Sequence, residues 1–450
     1  MKSAPRHQTG GPTLPLRLLS FVVVGAAIVI PLIFSPGMKD SFRTPKELGL
    51  RLEVFLALGL VAIESVRRFD ARWLFRTDQQ ASWFVLAILC WGGLTTLLSV
   101  NRAISVATFL RITGLCLLFL VTVAIGRSLP AAVIVLILMP AIVNGGLLLL
   151  QESGIWNPFI TRELIESLFG PGKRDVTIEA QRYSTALLGN TNDAGGYLSL
   201  CAVAAGALIG MRRFQRSILL GFGFLSISVI LSRSLSAIAA LIGGLFALAF
   251  LKSRRWVLTA VITLPLVVVG ASTLSRPLKN RLRQTRAAVL TGNYDALLSN
   301  RLVPFITALS MARDHPWSGV GPGCFTYEYL PYRLHAEALQ PSLIGSGEVG
   351  VMFGEVHNDY LQVLAESGIP GLAIFVAALF ALAKRSFQRA PAGEKDRVES
   401  ELVGRRLSLP LAITFSILAI GHFPLEVAAE AHLLSFLAGV SIAWTSHESS

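Results

Sequence analysis

The sequence predicts an all-α integral membrane protein of about 12 transmembrane helices, with a large extracytoplasmic loop containing short helices. Three observations carry this reading. Of 450 residues, 53% are hydrophobic and 15% are charged, and the mean hydropathy is +0.61. Soluble domains carry about 25% charged residues, so an ordinary soluble fold is excluded. Apolar runs of the ~20 residues that cross hydrocarbon recur along the whole chain. The Lys and Arg residues cluster in short segments between those runs, which is a topological pattern and not a nucleic-acid surface, despite a net charge of +13.

Lys2, Arg6 and Arg17 precede the first apolar run, Leu18–Phe34. No small-residue cleavage site follows, so it reads as an uncleaved span, centred near residue 26. Further spans centre near residues 56, 90, 115, 140, 202, 224, 242, 264, 376, 415 and 438. Arg67, Arg68, Arg72 and Arg76 fall on the same side as Arg127, Arg212, Arg213, Arg216, Lys252, Arg254, Arg255 and the segment Lys384–Arg406. By the positive-inside rule that side is the cytoplasm, with both termini there. Lys39, Arg43 and Lys46 run against the rule, on the outside. The charged segment 384–407, containing Pro391-Ala392-Gly393, reads as a solvated linker. No internal repeat of 20–50 residues is visible, so the chain is a single polytopic domain of residues 1–450.

Cys90, Cys116 and Cys201 lie in apolar runs and Cys324 in a polar loop, which leaves no disulfide framework. Two outer loops stand out, 152–190 and the longer 275–357. Loops above about 15 residues are usually functional or have structure of their own. The second shows helical spacing from Arg301 to Ala312, with Leu302, Phe305, Ile306 and Leu309 on one face. That pattern reads as a helix on the membrane surface that shapes a groove. It breaks at Asp314-His315-Pro316 and at Gly319–Gly323.

The chemistry centres on His357-Asn358-Asp359, where the long loop meets the next span. Asn358 and Asp359 suit a helix cap, Leu361, Leu364 and Ala365 form an apolar face, Gly368 is a stop, and Pro370 suits the start of the next helix. A histidine at a helix N-terminus is biased toward its neutral form and is a candidate general base. A capping or structural histidine is the other reading. Arg233 lies in a tight outer turn, Arg301 opens the amphipathic helix, and Arg182 precedes Asn190 and Asn192. Guanidinium groups bind phosphate oxygens bidentately, so a pair of arginines suits a pyrophosphate. The alternative is topological, with Arg233 snorkelling and Arg301 on the surface. Arg111, inside the fourth span, is a functional candidate or a snorkelling residue. Glu348, Glu355, Asp359 and Asp40 are alternative bases, or solvated charges. Gly321 sits in G-V-G-P-G, which lacks a βαβ context and reads as a tight turn beneath a groove. No D-x-D, H-E-x-x-H or His/Cys cluster is present, so neither a metal nor another cofactor is called for.

Several of these motifs carry a resemblance. His357-Asn358, nine residues, then Gly368-x-x-Gly371 is similar to the signature of the O-antigen ligase and O-antigen polymerase superfamily of bacterial membrane glycosyltransferases. G-V-G-P-G-C-F (Gly319–Phe325), L-L-G-N-T-N-D-A (Leu187–Ala194) and L-S-R-S (Leu231–Ser234) extend the likeness over roughly residues 180–375. The resemblance implies a site of two extracytoplasmic arginines and the motif histidine, matched here by Arg233, Arg301 and His357. Arg182, Asn190, Asn192, Gly321 and Asn358 are then candidate substrate-binding residues. Ser234 stands where Gly or Ala is expected, and Pro304-Phe305 where an aromatic is common. The implied donor is an undecaprenyl-pyrophosphate-linked glycan, and the implied location is the bacterial inner membrane with the site facing the periplasm. A lipid A-core acceptor would make the protein a ligase, a growing glycan a polymerase, and a protein hydroxyl an oligosaccharyltransferase. A transporter or flippase of the same lipid-linked glycan is the rival from another class; the absent repeat and the large outer loop speak against it.

Overall fold

The structure, a computed structural model, describes residues 13–35, 38, 40–155, 184–209, 211, 214–253, 255, 276–292, 298, 301–339, 353–388 and 395–446. It is all-helical, with 14 α-helices and no strand among the described residues. In chain order these are α1 (Leu14–Val29), α2 (Arg43–Arg68), α3 (Gln79–Leu97), α4 (Arg102–Gly126), α5 (Val133–Glu152), α6 (Thr191–Ala207) and α7 (Gln215–Leu231). They continue with α8 (Leu235–Lys252), α9 (Arg276–Thr291), α10 (Leu302–Asp314), α11 (Phe325–Leu339), α12 (Asp359–Lys384), α13 (Lys395–Gly421) and α14 (Ala428–Thr445).

Among the described residues, seven helices are long and apolar enough to cross a membrane: α3, α4, α5, α8, α12, α13 and α14. α1 and α7 are apolar but shorter. α2 covers the span expected near residue 56 and is long enough, but it carries Glu47, Arg51, Glu53 and Glu64. Two of these are buried with partners: Glu53 meets His432 of α14 at 2.9 Å, and Glu64 takes Arg67 and Arg68 at 2.8 and 2.6 Å. α6 covers the expected span near 202, and the one near 264 lies outside the described residues.

α6 is almost fully enclosed. Every residue from Asp193 to Ala205 is buried, and the run is rich in Gly, Ala and Ser. Small side chains let neighbouring helices approach closely, which replaces the hydrophobic driving force that is missing in lipid. Gly196 shows the tightness, since a Cβ there would lie 2.7 Å from a Glu430 carboxylate oxygen of α14. α14 is the second central helix, with α4 and α13 against it.

The chain runs up and down, so alternate helix ends collect at two poles. One pole is pinned by Arg385, which donates to both oxygens of Asp78 at 2.9 Å, while Asp78 caps α3 by accepting from Ala81 N at 2.8 Å. Trp444 Nε1 donates to Gly126 O at 2.8 Å at the same pole. The starts of α2, α6 and α12 meet at the other pole.

One local expectation needs correction, and one helix packs by a side its spacing did not mark. The segment 384–407 is not a solvated linker throughout, because α13 is already helical from Lys395. Its Lys, Arg and Glu residues are good helix formers, and the turn-forming Pro391-Ala392-Gly393 lies outside the described residues. α10 does form as the spacing predicts, but its buried face is Pro304, Thr307, Ala308, Met311 and Ala312, and Leu309 is 50% exposed. Small residues at 307 and 308 let α10 seat closely on α12 and α11, and tertiary packing chooses that face over the more apolar one.

Candidate active site

The segment opening α12 is built as the local sequence dictates. Asn358 is the N-cap: its side chain accepts from Leu361 N at 3.0 Å, and its Nδ2 donates to Ile420 O at the end of α13, also at 3.0 Å. Gly368 breaks the helix with φ +67° and ψ −173°, a backbone region open to glycine alone. A Cβ there would lie 2.2 Å from Trp317 O. Ile369 N then donates to Pro316 O at 2.8 Å, and the chain continues as the membrane helix after Pro370.

The G-V-G-P-G loop docks on this kinked helix. Val320 N and Gly321 N donate to Ala365 O and Glu366 O at 2.9 and 3.0 Å. The Glu366 carboxylate in turn accepts from Gly323 N at 2.7 Å and from Gln362 Nε2 at 2.6 Å. Gly321, at φ +109°, is packed so closely on α3 and α4 that a Cβ would lie 2.1 Å from Ser99 Oγ. The inward face of the first half of α12 is therefore partly polar, with Gln362 and Glu366 buried beside Ala365.

His357, one residue before the cap, is held at φ +60°, a left-handed conformation that a non-glycine residue seldom adopts. Its ring packs edge-on against Phe423 at 4.6 Å and Phe353 at 5.9 Å. Its Nδ1 is buried without a hydrogen-bond partner. Burial, then the positive charge of Arg301, then His422 and Arg43, push its pKa down to about 3, which favours the neutral imidazole.

Arg301 immediately precedes α10, and its Nη1 donates to Gly421 O at 2.5 Å. Arg301 and Asn358 thus hold consecutive carbonyls at the C-terminal, negative end of α13. Arg233 sits in the α7–α8 turn at φ +62°. Its Nη2 donates to both carboxylate oxygens of Glu152, which also accepts from Ser184 Oγ at 3.0 Å, while its Nε is buried and unpartnered. The next residue, Ser234, donates to Asn192 Oδ1 at 2.8 Å, and Asn190 caps α6 by accepting from Asn192 N at 2.8 Å. The sequence motifs around residues 190 and 233 are therefore in contact. Arg182 and Glu348 lie outside the described residues.

Between these groups lies a buried ionic cluster that sequence reasoning missed. Arg43 donates to Asp193 at 3.1 and 3.3 Å, approaches Glu355 at 3.7 Å, and sits 5.0 Å above the ring of Phe423, the same ring that packs against His357. His422 meets Glu430 at 3.1 Å and Asp193 at 3.8 Å. The Glu355 carboxyl is pushed up from its ordinary range, mainly by burial and against the pull of Arg43. Arg43 had stood out only as an exception to the charge rule, and Lys46 beside it donates to Ile33 O, Phe42 O and Leu187 O. Ionisable residues amid apolar sequence, at Asp193, His422 and Glu430, were the signal available.

The other candidates have structural partners. Arg111 bridges Glu47 at 3.2 Å and Glu426 at 3.5 Å. Asp40 accepts from Phe42 N and Arg43 N at the start of α2, and Asp359 accepts from Leu425 N at 3.3 Å. Among the described residues no three His, Cys, Asp or Glu side chains are grouped to hold a metal ion.

A helical membrane bundle with buried histidines, arginines and carboxylates gathered at one pole defines a polytopic membrane protein with an ionisable site at its edge. Residues 220–376, which include Arg233, Arg301, Gly321, His357 and Asn358, match the family model described as O-antigen ligase. Over that stretch, about a third of its length, the chain is similar to the O-antigen ligase/polymerase superfamily, whose members are glycosyltransferase-like enzymes. No curated protein matches the chain significantly.

Proposed function

We propose that the protein is a ligase-type glycosyltransferase of the inner membrane. It moves a glycan from an undecaprenyl-pyrophosphate-linked donor to an acceptor hydroxyl, on lipid A-core or another glycan, at the periplasmic face. The observation that carries this reading is His357: neutral, buried, with an unpartnered Nδ1, beside Arg301 and inside the family match. His357 takes the proton of the acceptor hydroxyl as that oxygen attacks the anomeric carbon. Arg233 and Arg301 hold the departing diphosphate, and a single displacement inverts the anomeric configuration.

The low basicity of His357 fits this sequence of events. With cations around it, the imidazole stays unprotonated until a diphosphate arrives. The charge of that diphosphate then offsets Arg301 and raises the basicity of the ring when a base is needed. Arg233 likewise exchanges the Glu152 carboxylate for phosphate oxygens.

Single-turnover transfer at varied donor concentration tests the roles. His357→Ala is expected to lower turnover by about 10²–10⁴-fold with donor binding largely kept. Arg233→Ala and Arg301→Ala are expected to weaken both donor affinity and turnover, with Lys rescuing only in part because a point charge lacks the bidentate fork. Full activity in a well-expressed His357→Ala protein ends the base assignment. Silver-stained lipopolysaccharide from a deletion strain assigns the acceptor: core without O-chain for a ligase, core with one repeat for a polymerase.

A further inference from the structure

α9 reads R-P-L-K-N-R-L-R-Q-T-R-A-A-V-L-T; five of its 16 residues are basic and none is acidic. It makes no extensive packing with any other described helix. Lys279, Arg283 and Arg286 are exposed and form no ion pair with a described residue. Val289 and Leu290 are exposed as well, at 60% and 75%. Helical spacing puts Leu278, Leu282 and Val289 on one side, with Lys279, Arg283 and Arg286 on the adjoining one.

Several other cations of this pole are committed to partners. Arg43, Arg111 and Arg233 face carboxylates, and Lys46 holds three carbonyls. In sequence, α9 also follows directly on the apolar run around residue 264. A basic helix with a narrow apolar side and exposed cations, directly following an apolar run in sequence, has the form of an interfacial helix. Arginines on the outer side oppose the charge bias of membrane insertion, so their retention calls for a compensating interaction.

We propose that α9 lies in the headgroup layer and binds anionic phospholipid, docking the loop 275–357 on the membrane through Lys279, Arg283 and Arg286. This inference is independent of the glycan chemistry. The test is hydrogen–deuterium exchange of the full-length protein in nanodiscs of phosphatidylcholine alone and of phosphatidylcholine with phosphatidylglycerol. Exchange over residues 276–291 is expected to slow about tenfold or more with the anionic lipid, and the K279E/R283E/R286E variant is expected to lose that protection. Unchanged exchange in the rest of the bundle establishes that the variant is folded. Equal exchange in the two lipids, or protection that survives charge reversal, overturns the proposal. So does equal protection by inorganic pyrophosphate in neutral lipid, which would make α9 an anion site and not a membrane surface.

Discussion

Asn358 ties the candidate base to two helices at once, and replacing it separates the two ties. Asn358→Ala removes the acceptor for Leu361 N and the donor to Ile420 O. Loss of an N-cap costs about 1 kcal/mol and loss of a hydrogen bond between helices about the same. At 1.4 kcal/mol per decade, the sum predicts about 30-fold faster amide exchange in the first turn of α12. Asn358→Asp keeps an acceptor for Leu361 N and loses the donor, so it is expected to accelerate exchange only about fivefold. Exchange over residues 359–362 in detergent or nanodiscs reads both effects. His357 precedes the cap in a left-handed conformation, so a frayed first turn releases it toward commoner backbone angles, and turnover should fall in the same order. Wild-type exchange in Asn358→Ala refutes the capping argument. Equal exchange in the Ala and Asp variants assigns the whole effect to the tie with α13.

Four further outcomes are expected. The pKa of His357 is depressed below its ordinary value, so the neutral form persists down to about pH 3 in the donor-free enzyme. Arg301→Gln removes a neighbouring positive charge, so the acid limb of kcat/KM should move to higher pH; an unmoved limb separates Arg301 from His357. Gly368→Ala forces a Cβ against Trp317 O at a glycine-only backbone angle, a strain of about 1–3 kcal/mol or more, and thermal unfolding should come earlier, whereas an unchanged melt means the kink is pliable. Reporter fusions at Gly292 and Gly393 should give opposite sidedness, and like sidedness overturns the topology. Transfer by purified enzyme should persist in EDTA, while loss restored by Mg²⁺ or Mn²⁺ would bring Asp40, Glu355 and Asp359 back as candidates.

Composition and period alone determined much about this protein. Low charge and repeated apolar runs of about 20 residues specify a helical membrane bundle, because a run of that length satisfies its own backbone in lipid as a helix. Local chemistry was legible too: Asn358 caps, Gly368 breaks, and Arg301 stands at the start of α10. These features depend on neighbours within a few residues, which a sequence displays directly. Only the tertiary structure decided which distant groups meet. Arg43, Asp193, His422 and Glu430 come from four separate stretches, and each alone looks like a misplaced charge; packed around α6, they form one ionic cluster next to Phe423 and His357. The buried side of α10 was likewise set by what it packs against, because close approach to α12 favours small residues over the most apolar ones. Arg233 and Arg111 look alike in sequence as isolated cations, yet one turns on a single carboxylate and the other is held between two acids. That difference arises from contacts across the chain, whose energy depends on three-dimensional proximity and desolvation and leaves no periodic trace in the sequence.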